Sequence, residues 1–296
     1  MTYVYVANFY SNSVTVINRT EDISTTYIVN RPDAIVHDPV NNYVYVADYS
    51  YDCVLVINHT HIIYKITVGY HPDAIAYDPK NNYIYVANVG SNTVSVINCT
   101  SVIANITVRH APVAIVYEPP DGYIYVANSG CNVISVINCT KVIWNITCAY
   151  LPASFTYDPS DGSIYVGSYC ACVFRVCNTV ITAKIYMGGR HISVFYNPSN
   201  GYVYAGNGFY IGLINCSTRI ADIGWLSCPL GMAYNPVNGY VYVTNYCSNM
   251  LSVIDNTILI GSIVEIELNL TFLKNKEMES CGSPIAKERS NDTWYQ

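Results

Sequence analysis

Apolar residues in this chain alternate with a period of two in short runs, and the runs recur in sets about 40 residues long. The clearest run reads YVYVAN from Tyr3, YVYVAD from Tyr43, and YIYVAN from Tyr83 and again from Tyr123. It continues as SIYVGS from Ser163, YVYAGN from Tyr202 and YVYVTN from Tyr240, with starts spaced 40, 40, 40, 40, 39 and 38 residues apart. A period of two predicts strands, and no stretch carries the 3.6-residue spacing of an amphipathic helix. Short strands repeating every 40 or so residues predict a β-propeller with one four-stranded blade per repeat. The expected fold is all-β, a seven-bladed propeller of antiparallel blades.

Residues 72–109 show the repeat most plainly. PDAIAYDP (72–79) predicts a first strand and YIYVANV (83–89) a second. TVSVIN (93–98) predicts a third and VIANITV (102–108) a fourth, with turns at KNN, GSN and CTS. The first strand carries small residues at Ala34, Ala74, Ala114 and Ala153, as crowding around the ring axis requires. The second strand is bulky on both faces, which suits a blade packed between two others.

Second, third and fourth strands appear seven times, but the first strand only six, because the chain opens directly on a second strand. The segment 267–276, ELNLTFLKNK, has the length of the missing strand and sets Phe272 near the place of Tyr77 and Tyr157. It could complete blade one through 267–273 and close the ring. The alternatives are a shortened N-terminus and insertion of this strand into a neighbouring molecule. We therefore place the propeller at 1–273. Residues 274–296 hold eight charges and read as a tail outside it.

Only 11% of the 296 residues are charged, against roughly 25% in ordinary soluble domains, while Tyr alone supplies 30. A net charge of −6 leaves no electrostatic footprint for nucleic acid. No run of about 20 apolar residues predicts a transmembrane segment. The start, MTYVYV, has neither the basic nor the apolar region of a secretory signal, so we read the chain as a processed or incomplete product.

PLGMAYNPVNG followed by YVYVTNYCSNMLSVID (240–255) resembles the YVTN-type β-propeller repeat common in archaeal surface-layer and cell-surface proteins. The resemblance covers residues 1 to about 265. It implies a seven-bladed ring serving as a binding or structural module at a cell surface, and implies no particular chemistry. The repeat departs from its pattern at Ser163–Ser168 and the cysteines beyond it, and at the shortened turn NGFYIG of blade six.

Nine N-x-S/T sites occur, and phase gives them weight. Asn18, Asn58, Asn98, Asn138 and Asn215 all follow a third strand; Asn105 and Asn145 lie in fourth strands; Asn269 and Asn291 lie near the C-terminus. N-linked glycans and an extracellular or cell-surface setting are expected. Twelve cysteines agree with an oxidising compartment. A hairpin centred near Cys139 sets Cys131 opposite Cys148, the best candidate disulfide, and Cys170 and Cys172 are expected on one strand face. No cysteine spacing marks a metal site, and no cofactor is expected.

Junctions between blades carry Arg31, His71, His110, Arg190 and His191, a candidate ligand face of modest positive character. No carboxylate dyad, nucleophile–base pair or phosphate loop recurs, so an enzyme of the lactonase-like propeller kind is the less favoured reading and the chain is expected not to be an enzyme. Two readings lead. One is a structural glycoprotein of a surface layer or filament, acting as a homo-oligomer or polymer. The other is a cell-surface binding or adhesion propeller for glycan or peptide, which should gather exposed aromatics and charges on one group of blades.

Overall fold

The structure is a computed structural model that describes residues 3–264 apart from 9, 19–20, 27–29, 149, 190–192, 237 and 249. It is a seven-bladed, all-β propeller. The described residues form seven antiparallel meanders and no helix, so none is long and apolar enough to cross a membrane. Blades two to seven have four strands each, such as Pro72–Asp78, Tyr83–Asn88, Thr93–Asn98 and Ser101–Thr107 in blade three. Blade one shows three, Tyr3–Asn8, Ser13–Asn18 and Glu21–Thr26. The expected closing strand 267–273 lies outside the described residues.

Alternation explains how each blade is buried on both sides. In Cys53–Asn58, Cys53, Leu55 and Ile57 pack toward blade one with Val14, Val44 and Val46. Val54 and Val56 pack the opposite way with Tyr45 and Ile66, against Ile84, Val86 and Ile97 of blade three. Six such clusters join neighbouring blades among the described residues, so the core is a stack of interblade layers. This is how a sheet with two apolar faces avoids water, at roughly 25 cal/mol for each Å² of apolar surface covered.

The recurring phrase has two polar duties. Its third residue is a tyrosine buried between blades. Tyr45 Oη donates to the Cys99 carbonyl of blade three at 3.0 Å and accepts from Asn41 Nδ2 at 3.0 Å. Tyr85 repeats this with Cys139 and Asn81 at 3.0 and 3.1 Å. Tyr165 reaches the Cys216 carbonyl at 2.8 Å, and Tyr204 donates to that of Asn256. Each hydroxyl thus ties one blade to the next at a carbonyl that a turn leaves unpaired. The sixth residue works within its own blade. Asn88 Nδ2 donates to Ser95 Oγ at 2.9 Å, and Ser95 Oγ donates to Asn105 Oδ1 at 2.7 Å; Asn128, Ser135 and Asn145 form the same relay.

Two local departures from regular pairing matter. Every first strand of blades two to five opens with a bulge, so Ser154, and not Ala153, fills the inner place that Ala34, Ala74 and Ala114 hold. The small-residue expectation for blade five was one position out. Each outer strand of blades two to seven also bulges at its third residue, leaving Ile63, Ile103, Ile143, Thr182, Ile220 and Ile260 opposite no partner. A bulge on an edge disfavours strand addition there.

Candidate functional site on the upper face

Antiparallel meanders send turns of two kinds to each face. The lower face receives the first-to-second and third-to-fourth turns, and the upper face receives the second-to-third turns and the connections between blades. Residues in the left-handed region separate the two. Lower turns use Asn42, Asn82, Gly122, Gly162, Gly201 and Gly239 before the second strand, as such turns demand. The upper connections place Arg31 (φ 63°), His71 (φ 53°), Ala111 and Cys228 there. Bulky side chains in that region are uncommon and are associated with functional surfaces.

The connections are fixed by a repeated clasp. His71 O accepts from Val89 N at 2.9 Å, and Arg31 O from Tyr49 N at 3.0 Å. The preceding blade supplies a cap: Asp52 Oδ1 accepts from His71 N at 2.8 Å, and Asn12 Oδ1 from Arg31 N at 3.0 Å. On this frame the His71 ring stacks on Tyr49 with centroids 4.5 Å apart, and the Arg31 guanidinium lies 5.0 Å from the same centroid. His110 hydrogen-bonds Asn92 Oδ1 at 3.2 Å through Nδ1. Gly90 and Gly130 make room, because a Cβ there would sit 2.9 Å from His71 Nδ1 and 2.4 Å from His110 Cδ2. Beneath this group Asp48 is buried, which raises its carboxyl above the ordinary range, offset in part by the amides of Asn30 and Tyr51.

Blades five to seven add aromatic groups. Lys184 lies over Tyr150 and Arg219 over Tyr210, at 4.5 and 4.8 Å, as Lys65 lies over Tyr51 at 4.7 Å. Arg219 also holds Asp222 through two charge-assisted bonds of 2.8 and 2.6 Å. Phe209, Trp225 and Tyr246 stand exposed on three neighbouring loops.

Arg31, His71 and His110 therefore share the upper face, as expected of a ligand face, while Arg190 and His191 lie outside the described residues. Sequence reasoning missed Phe209, Trp225, Tyr246 and Tyr49. Their signal was an aromatic at turn positions where other repeats place Gly, Ser or Asn, inside segments that break the repeat. On the opposite, lower face the sequons Asn98, Asn138 and Asn215 are exposed and Asn58 is partly so; Asn105 and Asn145 are exposed on outer strands. Asn18 ends a third strand in the same way, and Asn269 and Asn291 lie outside the described residues.

The cysteines differ from expectation. Cys131 and Cys148 are separate thiols. Val133 pairs with Thr147, and Cys148 N donates to Asn132 O at 2.9 Å, so Cys148 faces Asn132 and a one-residue offset parts it from Cys131. The disulfide is Cys228–Cys247, joining the connection into blade seven to a turn of that blade. Nor do Cys170 and Cys172 share a strand face: Cys170 lies in the turn, Ala171 is left-handed (φ 63°), and the strand starts at Cys172.

No protein-family model matches the chain, and no curated protein sequence does. Solved structures do. Hydrazine synthase of Kuenenia stuttgartiensis is 22% identical with a TM-score of 0.66, over 78% of this chain and 79% of that one. The dihydro-heme d1 dehydrogenase NirN is 13% identical with a TM-score of 0.76, over 90% of this chain and 64% of that one. Virginiamycin B lyase from Staphylococcus aureus is 15% identical with a TM-score of 0.68, over 80% and 85%. Identities this low establish the propeller fold alone. They also correct one expectation: propellers of this shape include enzymes, so the lack of a recurring dyad or phosphate loop gives no ground for excluding catalysis.

Proposed function

We propose that this protein is an extracellular, cell-surface binding propeller that takes a glycan on its upper face. One observation carries the reading: among the described residues all four cation–aromatic pairs, and seven of the ten exposed aromatic side chains, belong to that face. The other three, Tyr64, Trp144 and Tyr186, lie on outer strands. Aromatic planes accept the C–H faces of sugar rings, and cations beside them accept the carboxylates or sulfates of acidic residues. The asymmetry supports binding over uniform packing of subunits. The phased sequons, the twelve cysteines and the resemblance to YVTN-type surface proteins support the location.

The test is binding to a panel of acidic and neutral polysaccharides. Tyr70→Ala with His71→Ala should weaken binding about tenfold or more, equivalent to at least ~1.4 kcal/mol, while Lys80→Ala on the lower face should leave it unchanged. Equal effects from both faces, or no saccharide bound at all, would reject the reading.

The phased asparagines carry glycans in the same proposal, which keeps the lower face and the outer strands hydrated and the upper face open. Native material should exceed the 32.9 kDa polypeptide mass by one glycan for each occupied site. A measured mass equal to the bare chain would remove this part.

One observation favours assembly as a second role. Blade one lacks an inner strand among the described residues, so Tyr3–Asn8 has an open inner edge free of the bulges found on outer strands. In every other blade the next first strand begins four to six residues after a fourth strand, as in Thr67 to Pro72 and Tyr186 to Ser193. The same spacing after Val264 falls inside 267–273. We assign that segment to the inner place of blade one, within its own chain or, in a polymer, within the next.

A further inference from the structure

Phe209, Trp225 and Tyr246 arrive from three separate loops, yet those loops behave as one body. Leu226 N donates to Phe209 O at 2.6 Å and Cys228 N to Gly208 O at 3.0 Å, joining the blade six turn to the connection that carries Trp225. Cys228 is bonded to Cys247, and Cys228 O accepts from Tyr246 N at 3.0 Å, joining that connection to the blade seven turn. Trp225 itself is 91% exposed, although its neighbour Leu226 is buried. Gly224 precedes it in the left-handed region (φ 55°), which turns the chain so that Leu226 points inward while the indole stays out. Phe209, 63% exposed, sits in a turn capped by Asn207, whose Oδ1 accepts the amides of Phe209 and Tyr210 at 2.9 and 3.1 Å. An apolar ring held outward by a disulfide and six loop hydrogen bonds is an arrangement whose ordering cost precedes ligand binding.

We infer that Phe209, Trp225 and Tyr246 form a preorganised platform for the apolar face of a neutral pyranose, distinct from the cationic group around Arg31 and His71. The inference rests on the glycan-binding reading above and assigns the chemical class of one subsite. Charge supports a neutral sugar here: the nearby Arg219 and Asp222 are closed on each other, leaving no net charge beside the rings. Exposed Ser248 and half-exposed Ser227 flank the rings with hydroxyl groups suited to a polyol. A protein partner would favour a continuous apolar patch, whereas Gly208, Gly224 and the two serines interrupt this one.

The chain holds three tryptophans, Trp144, Trp225 and Trp294, so Trp144→Phe with Trp294→Phe leaves Trp225 as sole reporter. The probes are laminarin and mannan as neutral polysaccharides, heparin as an acidic one, and a mixture of tryptic peptides. The account predicts that a neutral polysaccharide shifts Trp225 emission to the blue and lowers its acrylamide quenching constant at least threefold. Trp225→Ala in the wild-type background should weaken that binding at least tenfold while preserving the far-UV spectrum. Reducing Cys228–Cys247 should weaken it as well. If neutral polysaccharide binds but Trp225→Ala keeps full affinity, the platform is not the subsite and the broader reading stands. Protection of Trp225 only by peptides, or only by heparin, overturns the neutral-sugar assignment. If no polysaccharide binds the wild-type protein, both the inference and the reading beneath it fail.

Discussion

Raising the pH above about 10 should unfold this protein in one cooperative step with a midpoint near pH 11 to 12, measured by far-UV circular dichroism alongside tyrosinate absorbance. Five phenols in the interblade layers, Tyr45, Tyr85, Tyr125, Tyr165 and Tyr204, are buried, and burial raises each above the usual tyrosine value, Tyr45 to about 12. The unfolded chain loses these protons near pH 10 while the folded chain keeps them, so above that pH the folded state binds more protons and stability falls. Each retained phenol costs about 1.4 kcal/mol per pH unit there, roughly 7 kcal/mol per unit for five, against a total stability on the order of 5–15 kcal/mol. Buried Cys53 and Cys148, raised to about 12 and about 11, start the decline a little earlier. Tyr85→Phe should remove one of these phenols and flatten the slope. At neutral pH it should destabilise by about 1–3 kcal/mol, because the Cys139 carbonyl loses its donor. Tyrosinate absorbance that rises in full below pH 11 with the fold intact would refute the clasp.

Removing residues 266–296 should cost more than any single substitution. Without an inner strand, the Tyr3–Asn8 edge and the side of blade one facing the axis meet water, and a propeller draws its stability from contacts between neighbouring repeats. The truncated protein should unfold at clearly lower urea and aggregate on standing, and this loss should not depend on protein concentration if the strand belongs to its own ring. A loss of polymers with unchanged unfolding would place the strand in a neighbour. Unchanged behaviour in both respects would show that 267–273 fills no blade.

The blades were legible in the sequence because period-two alternation and turn residues such as Asn82 and Gly122 are local signals, repeated seven times in phase. Tyr85 was legible as a strand residue but not as an interblade clasp, since its partner is the Cys139 carbonyl 54 residues away. Bulges escaped notice for the same reason: Ser154 replaced Ala153 at the inner place because one residue of the strand loops out, and sequence spacing does not record that. The Cys131–Cys148 expectation failed on an offset of one residue, which in a strand reverses the side chain. Arg31, His71 and His110 could be read as a face because each occupies the same junction in its repeat. The Trp225 platform could not, because its loops depart from the repeat and meet only through Cys228–Cys247 and loop-to-loop hydrogen bonds.

The central claim is that ligand binds the upper face, and hydroxyl-radical footprinting of the full-length glycoprotein with a bound polysaccharide tests it most directly. The account predicts protection of Tyr51, Tyr70, Phe209, Trp225 and Tyr246, all exposed on the upper face, with no change at exposed Val40 on the lower face or Ile63 on an outer strand. Protection confined to the lower face, or to the outer strands around Trp144 and Ile143, would contradict it.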